Sequence, residues 1–210
     1  MSLDEANSVD SVSNQAIGSG LADPVLDSQR IFRLTLEAMS HPGRVIELPE
    51  LVDTQSLVSD AIASICLALA DLDTPVWIQP GESFPGRELA AMLRFHCGCT
   101  ITENPENAAF ALIHDARLMD SLQRFAVGSA EYPDRSTTLL VAIENFEQGD
   151  PWVLKGPGIA GHRMLSPAGL PVSFRREWHE NTSVFPRGVD LILCSGRRIA
   201  GLPRTTMIGN

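Results

Sequence analysis

The chain has 210 residues, of which 44% are hydrophobic and 20% charged, and its formal net charge is −10. This length predicts one domain with a substantial core of its own. The acidic balance argues against a nucleic-acid binder, because a phosphate backbone attracts an excess of Lys and Arg. Among the 16 basic residues only Lys155 is a lysine. Any chemistry that requires a lysine must therefore use Lys155.

The N-terminal segment and the apolar stretches indicate in which cellular compartment the protein lies. Residues 1–23 are rich in Ser, Asp, Asn and Gly and lack the basic and apolar regions of a secretion signal. We expect a flexible tail there and a single domain over residues 24–210. The longest apolar stretch, 57–70, is too short to cross a bilayer, and four cysteines are too few for a disulfide framework. These features predict a cytoplasmic protein without a membrane partner.

Helical and strand periodicities alternate along the chain after the tail. Helical spacing of apolar residues predicts helices at 29–39 (capped by Asp27), 58–69, 119–126 and 172–180. A further helix is predicted after Pro85-Gly86, running through 89–95 and stopped by Gly98. Short apolar runs predict strands at 44–48, 75–78, 109–113, 137–144, 152–155, 189–194 and 198–201.

This alternation indicates an α/β fold whose sheet is covered by helices on both faces. Short connections from 137–144 to 152–155, and from 189–194 to 198–201, predict antiparallel pairs as well. We therefore expect a three-layer α/β/α domain with a mixed sheet.

Few segments carry a chemical signature by themselves. Gly156-Pro157-Gly158 follows a strand and the single lysine, but it matches neither nucleotide-binding fingerprint, and a tight turn explains its glycines. Asp71 and Asp73 lie between a helix and a strand, where they form either a solvated turn or part of a site. None of these residues is assigned a catalytic role.

Three further segments contain side chains typical of sites. His41 and His96 are each able to act as a general acid or base. His96-Cys97-Gly98-Cys99 contains three soft ligands, but no second ligand pair accompanies it, so no metal is predicted. Arg204-Thr205-Thr206 places a guanidinium beside two hydroxyls, a combination that suits phosphate or phosphonate oxygens. A surface arginine near the chain end is the alternative.

Six motifs together resemble one known family, the H subunit of bacterial carbon–phosphorus lyase. They are FR at 32–33 with AMSHPG at 38–43, LALADLDTPVW at 67–77, LRFH at 93–96, GPGI at 156–159, FPRGVDL at 185–191 and LPRTT at 202–206. Each motif alone is weak, but six in the same order make the resemblance specific. It runs from about residue 25 to the end of the chain.

The resemblance implies a role in phosphonate breakdown. The family acts in a core complex with the G, I and J subunits, which couples an alkylphosphonate to the ribose C1 of MgATP and releases adenine. The product is a ribose 1-phosphonate 5-triphosphate, and a radical iron–sulfur step in the J subunit later cleaves the carbon–phosphorus bond. Family members are similar in fold to the large domain of pyridoxal-phosphate-dependent transferases and form homodimers when isolated.

The same resemblance implies that this chain binds no pyridoxal phosphate, although Lys155 is the one residue able to form its Schiff base. Too few cysteines stand at the spacing of an iron–sulfur cluster, so iron chemistry would belong to a partner.

Three hypotheses follow. In the first, the chain is an accessory subunit whose motifs build the fold and its interfaces, with Asp190 in a motif that forms either an interface or a core turn. In the second, it binds substrate, with Arg33, Arg204, Thr205 and Thr206 as oxyanion ligands and Asp71 and Asp73 near a Mg²⁺-bound phosphate. In the third, it is a stand-alone transferase on a pyridoxal-transferase-like scaffold without the cofactor, using His41 or His96. Gly156 and Gly158 are further candidates for a cleft or an interface.

Overall fold

The computed structural model describes residues 20–50, 59–81 and 86–209. The helices in these ranges are α1 (Pro24–Ser40), α2 (Asp60–Leu69), α3 (Gly86–Cys97) and α4 (Phe174–Ser183). The strands there are β1 (Ile46–Glu47), β2 (Val76–Ile78), β3 (Phe110–Ile113), β4 (Thr138–Ala142), β5 (Trp152–Lys155), β6 (Arg163–Leu165), β7 (Asp190–Ser195), β8 (Arg198–Leu202) and β9 (Met207–Gly209). Residues 1–19 of the predicted tail lie outside the described residues.

Six strands form a mixed sheet in the order β1-β8-β7-β4-β3-β2. The neighbours among β2, β3, β4 and β7 run parallel, while β8 is antiparallel to both β7 and β1. Leu112 pairs with Leu140, which in turn pairs with Ile192. Apolar central strands of this kind are typical of a sheet buried on both faces. The predicted α/β class, the mixed sheet and the antiparallel pairing of 189–194 with 198–201 are confirmed.

The six-stranded sheet separates two hydrophobic cores. On β3, Leu112 packs with residues of α1, α2 and α3, whereas Ala111 and Ile113 belong to the core on the opposite face. That second core includes Trp152 of β5 and Phe174 of α4, whose rings stack with centroids 5.5 Å apart. Helices therefore lie on both faces of the sheet, and side-chain alternation along each strand determines which core a residue joins.

The predicted pairing of 137–144 with 152–155 is wrong. Strand β5 lies between β6 and β9 in a separate antiparallel sheet, and β4 pairs on both sides with the parallel strands β3 and β7. Chain proximity favours a hairpin only where no other apolar strand competes for the same edge. Strands β6 and β9 have three residues each, too few for a recognisable alternation, and were not predicted.

Helix α1 begins earlier than its periodicity predicts. Asp23, and not Asp27, is the N-cap: its Oδ1 accepts hydrogen bonds from the backbone N–H groups of Val25 and Leu26 at 3.1 and 3.0 Å. Pro24 occupies the first helical position, where its missing N–H costs nothing. Helix α1 is thus 17 residues long. Within the described ranges, no helix is both long and apolar enough to cross a membrane.

The helix predicted at 119–126 is also wrong. A 3-10 turn spans only Leu122–Arg124 there, and the carboxylate of Glu177 on α4 accepts a hydrogen bond from the Leu122 N–H at 3.0 Å. Phe125 is buried in the core that also contains residues of α4 and of the six-stranded sheet. Contacts between distant segments hold this stretch of chain, so its helical spacing of apolar residues did not decide its conformation.

Candidate functional site

The turn that ends α1 packs closely against the Gly156–Gly158 loop. The Nη1 group of Arg163 on β6 donates hydrogen bonds to the carbonyls of His41 and Pro42 at 2.9 and 2.8 Å. A Cβ atom at Gly158 would lie 2.1 Å from the carbonyl oxygen of Ser40. Only a glycine allows this approach. The structure therefore brings His41 and Gly158, both predicted site residues, into one junction.

The two candidate histidines have different surroundings. The Nδ1 atom of His41 is 3.2 Å from the Ser40 hydroxyl and 3.1 Å from the Glu37 carbonyl oxygen. His96 lies near the end of α3, with its ring edge-on to Phe95 at a centroid distance of 5.0 Å. Both side chains are exposed. The contacts of His41 with the described residues do not include a carboxylate.

Arg204 and Asp190 form a hydrogen-bonded ion pair that connects two of the six motifs. The side chains are 11% and 19% exposed, and the Nε atom of Arg204 is 3.1 and 3.2 Å from the two carboxylate oxygens. The Nη1 group donates to the carbonyls of Pro133 and Pro186 at 2.9 and 3.3 Å, and Nη2 donates to Asp190 and the Ser136 hydroxyl. The protein itself therefore uses the donors of Arg204.

The two threonines that follow Arg204 are placed against the fold rather than on an open surface. Thr206 is fully buried, and its carbonyl accepts a hydrogen bond from the indole N–H of Trp178 at 2.8 Å. A Cβ atom at Gly156 would lie 2.8 Å from the carbonyl oxygen of Thr205. Oxyanion binding by Arg204, Thr205 and Thr206 stays a prediction that these contacts do not favour.

The paired aspartates form a self-contained turn after α2. The Oδ1 atom of Asp71 accepts hydrogen bonds from the Asp73 N–H at 3.0 Å and from the Thr74 hydroxyl at 2.6 Å. This is the solvated-turn alternative from the sequence. Within the described ranges, no group of three or more His, Cys, Asp or Glu residues could hold a metal ion.

The cysteines after His96 lie against a buried helix. The Cys97 thiol is 3.6 Å from the carbonyl oxygen of Cys66, which is fully buried on α2. Burial, with a smaller contribution from Cys99, raises the pKa of Cys97 to about 12. A thiol with so high a pKa is protonated at neutral pH, and the thiolate is the form that binds metals and reacts.

Arg33 is the predicted oxyanion ligand that faces a cavity. It lies on α1 and lines a cavity of about 550 Å³. Arg30 and Arg197 line the same cavity. Guanidinium groups that converge on an open space are typical of sites for phosphate or phosphonate oxygens. Arg33 thus lines a cavity, and its role as an oxyanion ligand stays a prediction.

The carboxyl edge of the parallel strands contains polar residues that the sequence analysis missed. Gln79 follows β2 and bonds to the backbone of Asp115, which follows β3, through its Oε1 at 3.0 Å and its Nε2 at 3.2 Å. Arg117 donates to the Asp115 carboxylate at 3.0 and 2.8 Å and lies 3.9 Å from Glu144, which follows β4. In open α/β sheets, ligands bind in the crevice beyond this edge.

Two groups at this edge have shifted pKa values. Burial lowers the pKa of His114 and so favours the neutral imidazole. The hydrogen bonds from Arg117 lower the pKa of Asp115 and keep the carboxylate ionised. In the neutral form one imidazole nitrogen is a hydrogen-bond donor and the other an acceptor. One signal was available in the sequence, since Gln79 and His114 directly follow predicted strands. The parallel order that brings the strand ends together was not available.

Lys155 lies away from this edge. It is the last residue of β5 in the three-stranded sheet, and its side chain is exposed. It lines a separate cavity of about 360 Å³ together with His179 of α4. The one amine able to form a Schiff base is therefore outside the six-stranded sheet.

The fold is an α/β domain with a mixed sheet, a cavity lined by three arginines, and sequence motifs that bond to one another. The sequence model of the bacterial phosphonate metabolism protein (PhnH) family matches residues 19–209. The chain belongs to this family, and the resemblance inferred from the six motifs is confirmed.

Two relatives cover most of the chain. "Alpha-D-ribose 1-methylphosphonate 5-triphosphate synthase subunit PhnH" of Rhizobium meliloti (strain 1021) is 35% identical over 195 residues, which is 93% of this chain and 96% of the relative. "Putative C-P lyase subunit protein HtxG" of Stutzerimonas stutzeri is 32% identical over 182 residues, which is 86% of this chain and 85% of that protein.

Proposed function

We propose that this chain is a subunit of a carbon–phosphorus lyase core complex. The complex would couple an alkylphosphonate to the ribose C1 of MgATP, release adenine and form a ribose 1-phosphonate 5-triphosphate. One observation carries the proposal: a relative that matches 93% of this chain at 35% identity is named as a subunit of a ribose 1-methylphosphonate 5-triphosphate synthase. The partners would be the G, I and J subunits, in the cytoplasm.

The contacts of the family motifs support an accessory role. Asp190 and Arg204, from two motifs, bond to each other, and Gly158 packs on the end of α1. Residues that hold the fold together in this way are not free to bind substrate, so the chemistry would depend on residues of other subunits.

The scaffold is proposed to be that of a pyridoxal-phosphate-dependent transferase domain that works without the cofactor. The α/β class and the mixed sheet agree with such an origin. Lys155 is exposed on the separate three-stranded sheet, where β5 pairs with β6 and β9. We propose a homodimer for the isolated chain.

Reconstitution tests the proposed function. The chain is co-expressed with G, I and J subunits, purified through a tag on the G subunit, and assayed with MgATP and methylphosphonate for adenine release and for the phosphonate product by phosphorus NMR. We expect co-purification in constant proportion and product formation only by the assembly. Light scattering of the isolated chain should report a dimer.

Two results would contradict this assignment. Failure of the chain to co-purify with the G, I and J subunits would contradict the proposal that it is a subunit of this complex. Product formation by the chain alone would instead favour the stand-alone transferase, in which His41 or His96 would act as the acid–base group.

A further inference from the structure

A cavity beside α1 concentrates positive charge on an acidic protein. Arg30, Arg33 and Arg197 line this space of about 550 Å³. The whole chain carries a formal charge of −10. Three arginines around one cavity therefore create a local potential opposite in sign to that of the protein, and such a potential attracts and retains anions.

The fold makes these three arginines converge. Arg30 and Arg33 are three residues apart on α1, so their side chains leave the same face of the helix. Arg197 lies in the turn between β7 and β8, where its carbonyl accepts a hydrogen bond from the Leu48 N–H at 2.8 Å. Contacts across the sheet edge thus position Arg197 opposite the helix.

The charges within the cavity are only partly compensated. Glu47 is the one carboxylate among the described lining residues, and it accepts a hydrogen bond from the Nη2 group of Arg197 at 2.7 Å. Arg197 also donates to the Leu48 carbonyl at 3.4 Å, which holds it in place. Arg30 and Arg33 form no ion pair with any residue in the described ranges. Two guanidinium groups therefore remain available to a ligand.

The number of arginines indicates the class of ligand. A guanidinium binds phosphate oxygens through paired hydrogen bonds. One such group suffices for a single phosphonate. The guanidiniums of Arg30 and Arg33, both unpaired within the described ranges, with Arg197 lining the same cavity of about 550 Å³ beside Glu47, suit an extended chain of phosphates. We propose that this cavity binds the triphosphate chain of a nucleoside triphosphate. The choice of a triphosphate rests on the proposed function, in which both the nucleotide and the product carry one.

Calorimetric titration of the full chain tests the proposal with three probes: inorganic tripolyphosphate, ATP and methylphosphonate. We expect tripolyphosphate and ATP to bind, and methylphosphonate to bind at least tenfold more weakly. Arg30→Gln and Arg33→Gln should each weaken tripolyphosphate binding about tenfold, because each removes a charge-assisted pair of hydrogen bonds. Arg44→Gln is the matched control, since Arg44 pairs with Glu37 at 2.9 Å outside the cavity and should leave binding unchanged.

Three outcomes would overturn the proposal: no binding of tripolyphosphate at millimolar concentration, equal binding by the wild-type chain and both cavity variants, or methylphosphonate binding as tight as that of tripolyphosphate. Thermal unfolding of each variant shows whether it is folded. The test is separate from that of the proposed function, because Arg33→Gln should still co-purify with the other subunits. Tripolyphosphate binding by a chain that fails to co-purify would support the cavity site and contradict only the subunit role.

Discussion

Two arginines of this chain show how position decides the role of one residue type. Arg33 lies on an exposed face of α1 beside a cavity. Arg204 is 11% exposed and bonds to a carboxylate, a hydroxyl and two carbonyls. A buried guanidinium must have its donors satisfied within the protein. Arg204 therefore stabilises the fold, while Arg33 is able to meet a ligand.

Replacement of Arg204 tests this difference. Arg204→Gln would leave the Asp190 carboxylate, which is 19% exposed, without its counter-charge. We expect the free energy of unfolding to fall by about 3 kcal/mol, measured by denaturant titration. Arg33→Gln is the matched control and should change it by less than about 0.5 kcal/mol. Equal stability of Arg204→Gln and the wild-type chain would show that the ion pair is dispensable and would reopen an anion-binding role.

At the scale of elements, α1 uses two faces and its C-terminal end in different ways. Ile31 and Ala38 are buried against the core, and Arg30 and Arg33 face the cavity. Its C-terminal end is fixed by the Gly156–Gly158 loop, which approaches the last carbonyl of the helix. The close approach at Gly158 is what allows the loop to cover the helix end.

Two glycines of this region allow a matched test. Gly158 and Gly161 have φ angles of +80° and +77°, but a Cβ atom would lie 2.1 Å from the Ser40 carbonyl oxygen at Gly158 and would contact nothing within 4 Å at Gly161. Gly161→Ala should lower the free energy of unfolding by about 1 kcal/mol through backbone strain alone. Gly158→Ala should lower it by about 3 kcal/mol, because the helix end must also move. Denaturant titration measures both free energies of unfolding. An equal decrease in the two variants would mean that the loop moves aside at Gly158 without further loss of stability.

At the scale of the whole molecule, motifs that are far apart in sequence lie together. The loop at Gly156 contacts Thr205, its neighbour Gly158 contacts Ser40, and Arg204 joins Asp190. The exposed face of α1 is different, since Val25, Phe32 and Leu36 are 78%, 49% and 56% exposed. Apolar side chains exposed on successive helical turns are typical of interaction surfaces.

We expect a partner subunit of the core complex to cover this apolar face. The double variant Phe32→Ser, Leu36→Ser should lose at least half of its co-purification with the G, I and J subunits while its thermal unfolding stays unchanged. Val172→Ser is the control, because Val172 is an exposed apolar residue that lies outside α1. Unchanged assembly of the double variant would contradict the expectation. Loss of the homodimer alone, measured by light scattering, would show instead that a second copy covers this face.

Part of the fold and of the candidate site could be predicted from local patterns. The apolar runs that became β3 and β7 identified central strands, because burial on both faces leaves no polar alternation. The resemblance carried by six motifs identified the family. These inferences needed only neighbouring residues or their order.

Other features depended on contacts between distant segments. Arg204 and Pro133 are 71 positions apart, and Arg163 and Pro42 are 121 positions apart, yet each pair is hydrogen-bonded. The sequence by itself determined the family, the α/β class and most helices and strands, because apolar spacing, capping residues and motif order are local properties. Only the tertiary structure decided that β5 leaves β4 for a second sheet, that Arg204 is internal, and that Arg30 and Arg197 join Arg33. Strand pairing and burial depend on which of all the segments of the chain pack together. A pattern within one segment does not contain that information.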